Sequence, residues 1–309
     1  MAGMNILATG SCLPERTVTN EELSHSLDTS DEWIRSRTGI AARHIAEGQT
    51  TAGIAAQAAR CALKKAPAGF DVSEIGLIVC ATITPDDHTP GCACQVQKEL
   101  GLDGSVLAFD VNGACSGFVM ALQIALSMLE DGQTALVIGA ERLSSILDWS
   151  DRSTCVLFGD GAGALLVQKD SRRCVNAYAR TLPDKADLLR APASGAIAMK
   201  GSGVFRFAVK AFSEIYEHCV ETEGPLKNRP DAVICHQANL RIMEKACRSH
   251  GLGMDCCFVC LDHTGNTAGA SIPIALDEAI SSGFLQRGMD TLLTAFGSGL
   301  SMAGLYFRY

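Results

Sequence analysis

The sequence predicts an α/β fold built from two related halves that pack as one unit. Two observations support this prediction. Strand-like and helix-like apolar segments alternate along the chain, as they do in layered α/β proteins. The order of these segments in the first half then recurs in the second half. If a pseudo-twofold axis relates the halves, equivalent turns should meet near that axis and border one cleft.

The first half, residues 1–170, begins with a strand-like segment over residues 1–10 and continues with alternating elements. Apolar runs predict a strand at 75–81, a helix at 95–100, a strand at 105–110, a helix at 116–131 and strands at 134–139 and 163–167. The helix at 116–131 is apolar at nearly every position. This pattern is typical of a helix buried on all sides.

The second half, residues 171–309, repeats this order. The predicted elements are a strand at 231–236, a helix at 239–250, a strand at 257–262, a helix at 272–281 and strands at 290–296 and 305–308. A Gly-Leu pair follows the first helix of each half. Asp-x-x-Gly turns beginning at Asp110 and Asp262 also match, which argues against chance similarity.

Composition limits the classes of function. The chain has 309 residues, of which 47% are hydrophobic and 19% charged, which favours a globular protein with a large core. Its net charge of −8 argues against non-specific nucleic-acid binding, and no apolar run reaches the roughly 18 residues of a membrane span. The start of the chain lacks the basic region of a signal peptide, so we expect a cytoplasmic protein.

The 14 cysteines lie mostly within apolar segments, which indicates a reducing compartment rather than a disulfide scaffold. The short cysteine clusters at 92–94 and 256–260 do not have the spacing and flanking turns of a zinc site. We therefore predict no bound metal.

Cys115 is the strongest candidate for a reactive residue. It lies at the junction between the strand at 105–110 and the helix at 116–131, among small neighbours that leave room for a substrate. A helix N-terminus favours a thiolate over a thiol, so we expect an activated nucleophile there. A buried structural cysteine is the alternative.

Two polar residues at strand-to-helix turns are candidate partners for Cys115. His236 follows the strand at 231–236, at the edge where α/β sheets bind ligands. Asn266 lies in a Gly- and Ala-rich turn before a helix, where its amide could stabilise an oxyanion or enolate. The alternatives are a loop histidine and an asparagine that serves only its turn conformation. His263 is the competing histidine.

At these residues the chain resembles the 3-oxoacyl-(acyl-carrier-protein) synthase III family, the initiating condensing enzymes of fatty-acid synthesis in the thiolase-like superfamily. The resemblance is nearly full length. The stretches that carry it are 28–34, Arg37-Thr-Gly-Ile40, the Cys115 turn, Phe158-Gly-Asp-Gly-Ala-Gly-Ala164, His236-Gln-Ala-Asn-Leu-Arg-Ile242, Gly265-Asn-Thr267 and Ala295-Phe-Gly297. It implies duplicated αβαβα layers with pseudo-twofold related halves.

The resemblance also implies a mechanism and a set of residue roles. Cys115 is the acylated nucleophile, and His236 and Asn266 stabilise the enolate that forms when malonyl-acyl carrier protein loses CO₂. The backbone N–H groups of Cys115 and Ser298 form an oxyanion hole. No metal or redox cofactor is implied, because acyl-CoA and malonyl-acyl carrier protein are both substrates.

Further roles follow from the same resemblance. Trp33 would stack on the CoA adenine with Arg152 on its other side, Arg37 would pair with phosphate and Asn239 would bind the pantetheine arm. The implied acyl-pocket residues are Thr89, Phe158, Phe205 and Phe296. A homodimer is also implied, in which the residue at position 89 reaches across to the partner's pocket.

The acidic carrier protein needs a positively charged docking surface. Arg241, Lys245 and Arg248 have the spacing of one helix face, and Arg206 and Lys210 repeat it on a helix that begins near Val204. The alternative for each set is an ordinary solvated face. The resemblance at Arg206 and Arg241 favours docking.

Some positions depart from the family pattern and put the choice of primer in doubt. Thr89 replaces a frequent bulky aromatic, Ser298 replaces a usual glycine, and Ser301-Met-Ala303 replaces a usual Thr-Trp-Gly. The stretch 176–194 is shortened. One alternative is therefore a secondary-metabolite condensing enzyme with a non-acetyl primer. A cysteine acyltransferase or thioesterase that does not condense is another, but it would not need both His236 and Asn266.

Overall fold

The computed structural model of the chain describes residues 2–309. The elements of the first half are, in chain order, β1 (Ala2–Cys12), β2 (Arg16–Thr19), α1 (Asn20–Ser24), α2 (Asp31–Thr38), β3 (Ala42–Ile45), α3 (Thr51–Lys64), β4 (Ile75–Ala81), α4 (Cys92–Glu99), β5 (Leu107–Val111), α5 (Gly117–Met128), β6 (Thr134–Glu141) and β7 (Gly161–Thr181). Those of the second half are β8 (Leu189–Arg190), β9 (Ala198–Met199), α6 (Gly201–Cys219), β10 (Ala232–Cys235), α7 (Leu240–Ser249), α8 (Leu261–Thr264), α9 (Ser271–Ser281), β11 (Asp290–Gly297) and β12 (Ser301–Arg308). Within residues 2–309, no helix combines the length and apolar character that a bilayer crossing requires.

The long strand β7 joins the sheets of the two halves. The strand order is β10-β11-β12-β7-β6-β4-β5, and β1 also pairs with β7. The first part of β7 pairs with β6 and β1, whereas residues 175–181 pair with β12. The predicted boundary between residues 170 and 171 lies inside β7 and remains a prediction.

Three apolar cores show that the fold has five layers. The central core contains α5 and α9, and the inward residues Val79 and Leu293 of the two halves reach it from opposite sides. Their neighbours in the strands point the other way: Ile78 packs against α3 and α4, and Leu292 packs against α6 and α7. This alternation follows from the two-residue period of a strand. The predicted α/β fold with layered, duplicated halves is confirmed.

Most predicted elements are present with shifted ends. The helix predicted at 95–100 begins earlier, at Cys92, because both carboxylate oxygens of Asp110 accept backbone N–H groups at its first turn, each at 2.7 Å. The helix predicted at 116–131 ends at Met128. The strand predicted at 163–167 is part of the 21-residue β7.

The strand predicted at 257–262 is wrong. Only Cys257 forms a bridge, with Val233 of β10, and the chain then turns into α8. The physical reason is a side chain that replaces the missing strand partner. Oε1 of Gln237 accepts the backbone N–H groups of Cys260 at 3.0 Å and Leu261 at 3.2 Å.

Candidate active site

Cys115 lies in a tight turn between β5 and α5. A single 3-10 turn covers Ala114–Ser116, and Cys115 is only 6% exposed. Ala114 has a φ of 47°, a left-handed conformation that costs a residue with a Cβ about 1–2 kcal/mol. Gly297 lets the end of β11 approach, because a Cβ there would lie 2.9 Å from both the nitrogen and the Cβ of Cys115. Cys115 is thereby held against the end of β11.

Asn266 lies in a turn of similar conformation between α8 and α9. Within residues 2–309, Ala114 and Ala268 are the two non-glycine residues with positive φ, and the φ of Ala268 is 42°. Each lies in a short 3-10 segment that leads directly into a helix, α5 or α9. The shared conformation supports the duplication that the sequence predicts.

The predicted match between the two Asp-x-x-Gly turns is wrong in register. Asp110 caps α4 with its carboxylate, whereas Asp262 lies in α8 and contacts His263 at the surface. Ala114 directly follows Gly113, but its conformational counterpart Ala268 lies further along from Gly265. The two turns therefore correspond in backbone shape and not in the sequence pattern.

The Asn266 side chain is oriented by its own turn. Its Oδ1 accepts the backbone N–H of Ala268 at 2.9 Å, which leaves the amide nitrogen as the group that can donate to a ligand. Its backbone is fixed as well, since its N–H donates to the Leu157 carbonyl at 2.8 Å and its carbonyl accepts from Gly159 at 3.0 Å.

His236 follows β10 and is 2% exposed. Its Nδ1 lies 2.6 Å from Oγ of Ser271, and its ring meets Phe296 edge-on with 5.3 Å between centroids. Ser271 Oγ also accepts the Gln237 N–H at 3.4 Å, so the hydroxyl proton can go to Nδ1 and the histidine then carries its own proton on Nε2. Burial lowers the pKa of His236 to about 3, so the ring is neutral near pH 7.

The three candidate residues line one cavity of about 600 Å³. Cys115, His236 and Asn266 form its buried end together with Phe158 and Phe296. Exposed arginines line its outer part, namely Arg37, Arg152, Arg206 and Arg241. Three turns that are far apart in the sequence thus contribute a thiol, an imidazole and an amide to one enclosed space.

The thiol of Cys115 is not a resting thiolate. Burial and, to a smaller extent, the negative charge of Glu141 together raise the pKa of Cys115 to about 12, against the opposing effect of the cysteine's own backbone N–H. The expected activation by the N-terminus of α5 is therefore outweighed. Glu141 is itself buried, and desolvation raises its pKa to about 7.

Trp33 stands at the outer end of the cavity, close to two guanidinium groups. The Cζ of Arg37 lies 4.4 Å from the centre of the indole ring, and that of Arg152 lies 5.3 Å away. Arg152 also donates to the carbonyl and the carboxylate of Asp28. The resemblance implied only Arg152 beside the Trp33 ring, whereas the guanidinium groups of both Arg37 and Arg152 lie near it.

Asn239 caps the N-terminus of α7. Its Oδ1 accepts the N–H of Arg241 at 2.9 Å, and its Nδ2 donates to the carbonyl of Arg37 at 2.9 Å. Asn239 also lines the cavity, so its second amide proton is available to a ligand.

The predicted acyl-pocket residues fall in different places. Phe158 and Phe296 line the buried end of the cavity, whereas Phe205 also lines a depression on the outer surface, where Nζ of Lys245 lies 5.8 Å from its ring centre. Thr89 is exposed and lines neither this cavity nor the smaller one behind Cys115. It therefore cannot shape the pocket of its own chain.

A smaller cavity of about 30 Å³ lies behind Cys115. Ser298 lines it, together with residues that sequence analysis missed: Ile83, Leu143, Leu189, Ile197 and Ala268. These residues come from five separate loops and strand ends. No local motif marks them, since their shared position depends on the tertiary fold.

The predicted docking residues are all exposed on two adjacent helices. Arg206 and Lys210 lie on α6, and Arg241, Lys245 and Arg248 lie on α7. None of the five forms an ion pair with a residue in the part of the chain that the structure describes. Lys185 and Lys200, which sequence analysis missed, border the depression beside Arg206.

The competing histidine lies outside the site. His263 contacts Asp262 at 3.1 Å and Glu278 at 3.2 Å on the surface, and these carboxylates raise its pKa to about 9. The cysteine clusters at 92–94 and 256–260 also stay apart from the cavity. Across residues 2–309, no three His, Cys, Asp or Glu side chains converge as ligands of one metal ion would.

Comparison with known proteins identifies the family. The model of 3-oxoacyl-[acyl-carrier-protein] synthase III matches residues 109–181, and the model of the C-terminal part of that synthase matches residues 221–309. The beta-ketoacyl-[acyl-carrier-protein] synthase III of Xylella fastidiosa is 46% identical over 319 residues, which cover 98% of each chain.

Solved structures give the same result. The 3-oxoacyl-[acyl-carrier-protein] synthase III of Aquifex aeolicus superposes with a TM-score of 0.94 and 42% identity, covering 99% of this chain and 100% of that one. The corresponding synthase of Thermus thermophilus gives 0.93 and 36%, covering 99% of each chain. These matches do not favour the secondary-metabolite or acyltransferase alternatives. The chain belongs to the 3-oxoacyl-[acyl-carrier-protein] synthase III family.

Proposed function

We propose that this protein condenses an acyl primer, taken from acyl-CoA, with malonyl-acyl carrier protein and so initiates fatty-acid synthesis. The observation that carries the proposal is the convergence of Cys115, His236 and Asn266 on one cavity. A nucleophile alone would suffice for acyl transfer. The neutral imidazole and the oriented amide add two hydrogen-bond donors, which condensation needs at the enolate oxygen.

In the first half-reaction the sulfur of Cys115 attacks the carbonyl carbon of acyl-CoA. The thioester bond to CoA breaks, CoA leaves as its thiol with the proton of Cys115, and the acyl group stays on Cys115. The backbone N–H groups of Cys115 and Ser298 hold the oxyanion of the tetrahedral intermediate. Loss of one such donor typically raises the barrier by about 3–4 kcal/mol.

In the second half-reaction malonyl-acyl carrier protein loses CO₂. The electron pair of the broken carbon–carbon bond forms an enolate, whose oxygen accepts hydrogen bonds from Nε2 of His236 and Nδ2 of Asn266. The enolate carbon attacks the acyl group on Cys115, which releases 3-oxoacyl-acyl carrier protein and a thiolate that regains a proton. No metal or redox cofactor is needed, because the decarboxylation itself supplies the carbanion.

The outer part of the cavity fits a CoA thioester. The indole of Trp33 offers a face to the adenine beside Arg152, and the exposed Arg37 supplies charge for phosphate. Asn239 retains an amide proton for the pantetheine arm. The cavity of about 30 Å³ behind Cys115 has room for roughly two groups the size of a water molecule, which supports a short primer.

The exposed basic face of α6 and α7 fits an acidic carrier protein. Its five predicted residues lack salt-bridge partners in residues 2–309, so a carrier carboxylate would not have to displace one. Arg206 and Arg241 line the cavity that holds the reacting residues, and the other three line the depressions that Arg206 and Arg241 share with it. This position lets the pantetheine arm of a docked carrier enter the cavity.

We also propose a homodimer that forms through β5, in the cytoplasm. β5 is an edge strand, and its Leu107 is 51% exposed. Such an edge favours pairing with another strand. The loop that carries Thr89 ends beside this edge, where Asp110 caps α4, so Thr89 can reach a partner's pocket. All 14 cysteines are free, in keeping with a reducing compartment.

Purified protein incubated with a panel of acyl-CoAs and malonyl-acyl carrier protein tests the function. We expect a 3-oxoacyl product by mass spectrometry, best with a short primer. Cys115→Ser should block acyl-enzyme formation, and Asn266→Ala should spare acylation but slow condensation by about 100-fold or more. Cys61→Ser, at a half-buried cysteine outside the cavity, is the matched control. Acylation of Cys115 without any condensed product would contradict the proposal.

A further inference from the structure

The loop between β11 and β12 holds one of the two proposed oxyanion donors. It contains Ser298 and follows Gly297, the last residue of β11, which packs against Cys115. Any shift of this loop therefore changes the distance between the Ser298 N–H and the acyl group on Cys115. The contacts that fix the loop decide how well that donor is placed.

On one side, hydrogen bonds tie the loop to the segment before α6. Oγ of Ser298 donates to the carbonyl of Leu189 at 2.6 Å. The backbones of Leu182 and Leu300 pair in both directions, at 2.7 and 3.2 Å. The segment that is shortened relative to the family pattern is thus attached to the oxyanion loop.

On the other side, two hydroxyl groups tie the loop to the Cys115 turn. Oγ of Ser301 donates to the carbonyl of Ser298 at 2.8 Å, and it lies 2.6 Å from Oγ of Ser116. Oγ of Ser116 also lies 2.9 Å from the Gly113 carbonyl oxygen, so the two hydroxyls link the Cys115 turn to the oxyanion loop whichever of them donates to the other. A chain of hydrogen bonds therefore runs from the residue next to Cys115, through the oxyanion loop, to Leu189.

Leu189 connects this series of hydrogen bonds to the pocket that would hold the primer. It lines both the main cavity and the smaller cavity behind Cys115, and Ser298 lines the smaller one. Leu189 also belongs to β8, whose one strand partner within residues 2–309 is the short β9. A primer too large for the smaller cavity would push Leu189 outward, and its carbonyl would pull the Ser298 hydroxyl with it.

We infer that Ser298 is a positioning residue whose hydroxyl couples the wall of the primer pocket to the oxyanion hole and so favours short primers. The inference rests on the proposed function. A primer that fits leaves the Ser298 N–H in place, whereas a longer one displaces the donor and slows its own transfer to Cys115. The enzyme then discriminates between primers of different length by the rate of acylation as well as by binding.

The test compares Ser298→Ala with wild type for acylation of Cys115 by acetyl-CoA and by hexanoyl-CoA, measured by rapid quench and intact-protein mass spectrometry. We expect kcat/KM for acetyl-CoA to fall about tenfold, mainly through kcat, because one buried hydrogen bond and its positioning effect are lost. The rate with hexanoyl-CoA should fall less, so the acetyl-to-hexanoyl ratio decreases. Ser301→Ala should change the ratio in the same direction, and Ser298→Thr, which keeps the hydroxyl, should restore it.

Ser127→Ala is the matched control. Its hydroxyl donates to the Gln123 carbonyl at 2.8 Å on an exposed part of α5, and its removal should leave both rates unchanged. If Ser298→Ala lowered the rates with acetyl-CoA and hexanoyl-CoA by the same factor, or changed neither rate, the inference would be overturned. Absence of acylation in wild type with every primer would instead overturn the proposed function, and this inference with it.

Discussion

At the scale of single residues, the position of Cys115 at a helix N-terminus favours a thiolate, but its buried surroundings do not. Cys115 is at the N-terminus of α5, where the helix dipole favours negative charge. Burial and the nearby Glu141 nonetheless raise its pKa to about 12. Charge on sulfur is thus disfavoured in the free enzyme.

The raised pKa of Cys115 predicts how its alkylation depends on pH. The thiolate fraction should increase about tenfold for each pH unit below pH 12, so the rate constant with iodoacetamide should rise by that factor per unit from pH 7 to 9. Peptide-level mass spectrometry distinguishes Cys115 from the other cysteines, and the exposed Cys94 serves as the internal reference. A plateau for Cys115 below pH 9 would show that the helix N-terminus outweighs burial.

The sequence revealed the candidate triad but not the residues that hold it. Cys115, His236 and Asn266 each follow a strand-like segment at a turn, which is a local pattern. Ser271 and Glu141 were missed because their contacts join distant segments: Ser271 holds the ring of His236, and Glu141 accepts from Thr84 at 2.7 Å. Neither residue lies in a local sequence motif that indicates its contact.

At the scale of elements, α7 shows how one helix can serve both core and surface. Ile242, Met243 and Ala246 are buried in the core shared with α6, while Lys245 and Arg248 face solvent. The 3.6-residue period made this helix predictable from sequence. The strand expected at 257–262 has equally strong apolar residues. No strand forms there, because Oε1 of Gln237 accepts the backbone N–H groups of Cys260 and Leu261 that a strand partner would otherwise bind. No local sequence pattern indicates this contact.

The exposed face of α7 predicts a specific kinetic effect. The double variant Lys245→Glu/Arg248→Glu should raise the KM for malonyl-acyl carrier protein about tenfold and leave acylation by acyl-CoA unchanged, because neither residue lines the main cavity. The effect should shrink at high salt. Lys64→Glu, an exposed charge reversal on α3, is the control. An equal rise in KM for acyl-CoA would argue against a separate carrier surface.

At the scale of the whole molecule, the strand order leaves the two ends of the sheet unequal. β10 at one end is short and buried along its length, whereas β5 at the other end is partly exposed at every position. The duplication predicted two similar halves. The second half lacks its counterpart of β5, since the segment 257–262 forms no strand. Of the two terminal strands in the described part of the chain, β5 therefore presents the more accessible edge for a second copy of the chain to extend.

This asymmetry leads to the prediction that the protein is a dimer at micromolar concentration, with twice the chain mass of 32.6 kDa. Leu107→Lys should shift it toward monomer, because the lysines of two copies paired near a twofold axis would repel one another and lose an apolar contact. The chain itself should stay folded, since Leu107 is 51% exposed. Val72→Lys alters a similarly exposed apolar residue outside the strand, at 44% exposure, and should remain dimeric. Sedimentation velocity over a range of concentrations measures both variants, and a wild type that sediments as a monomer throughout would exclude pairing through β5.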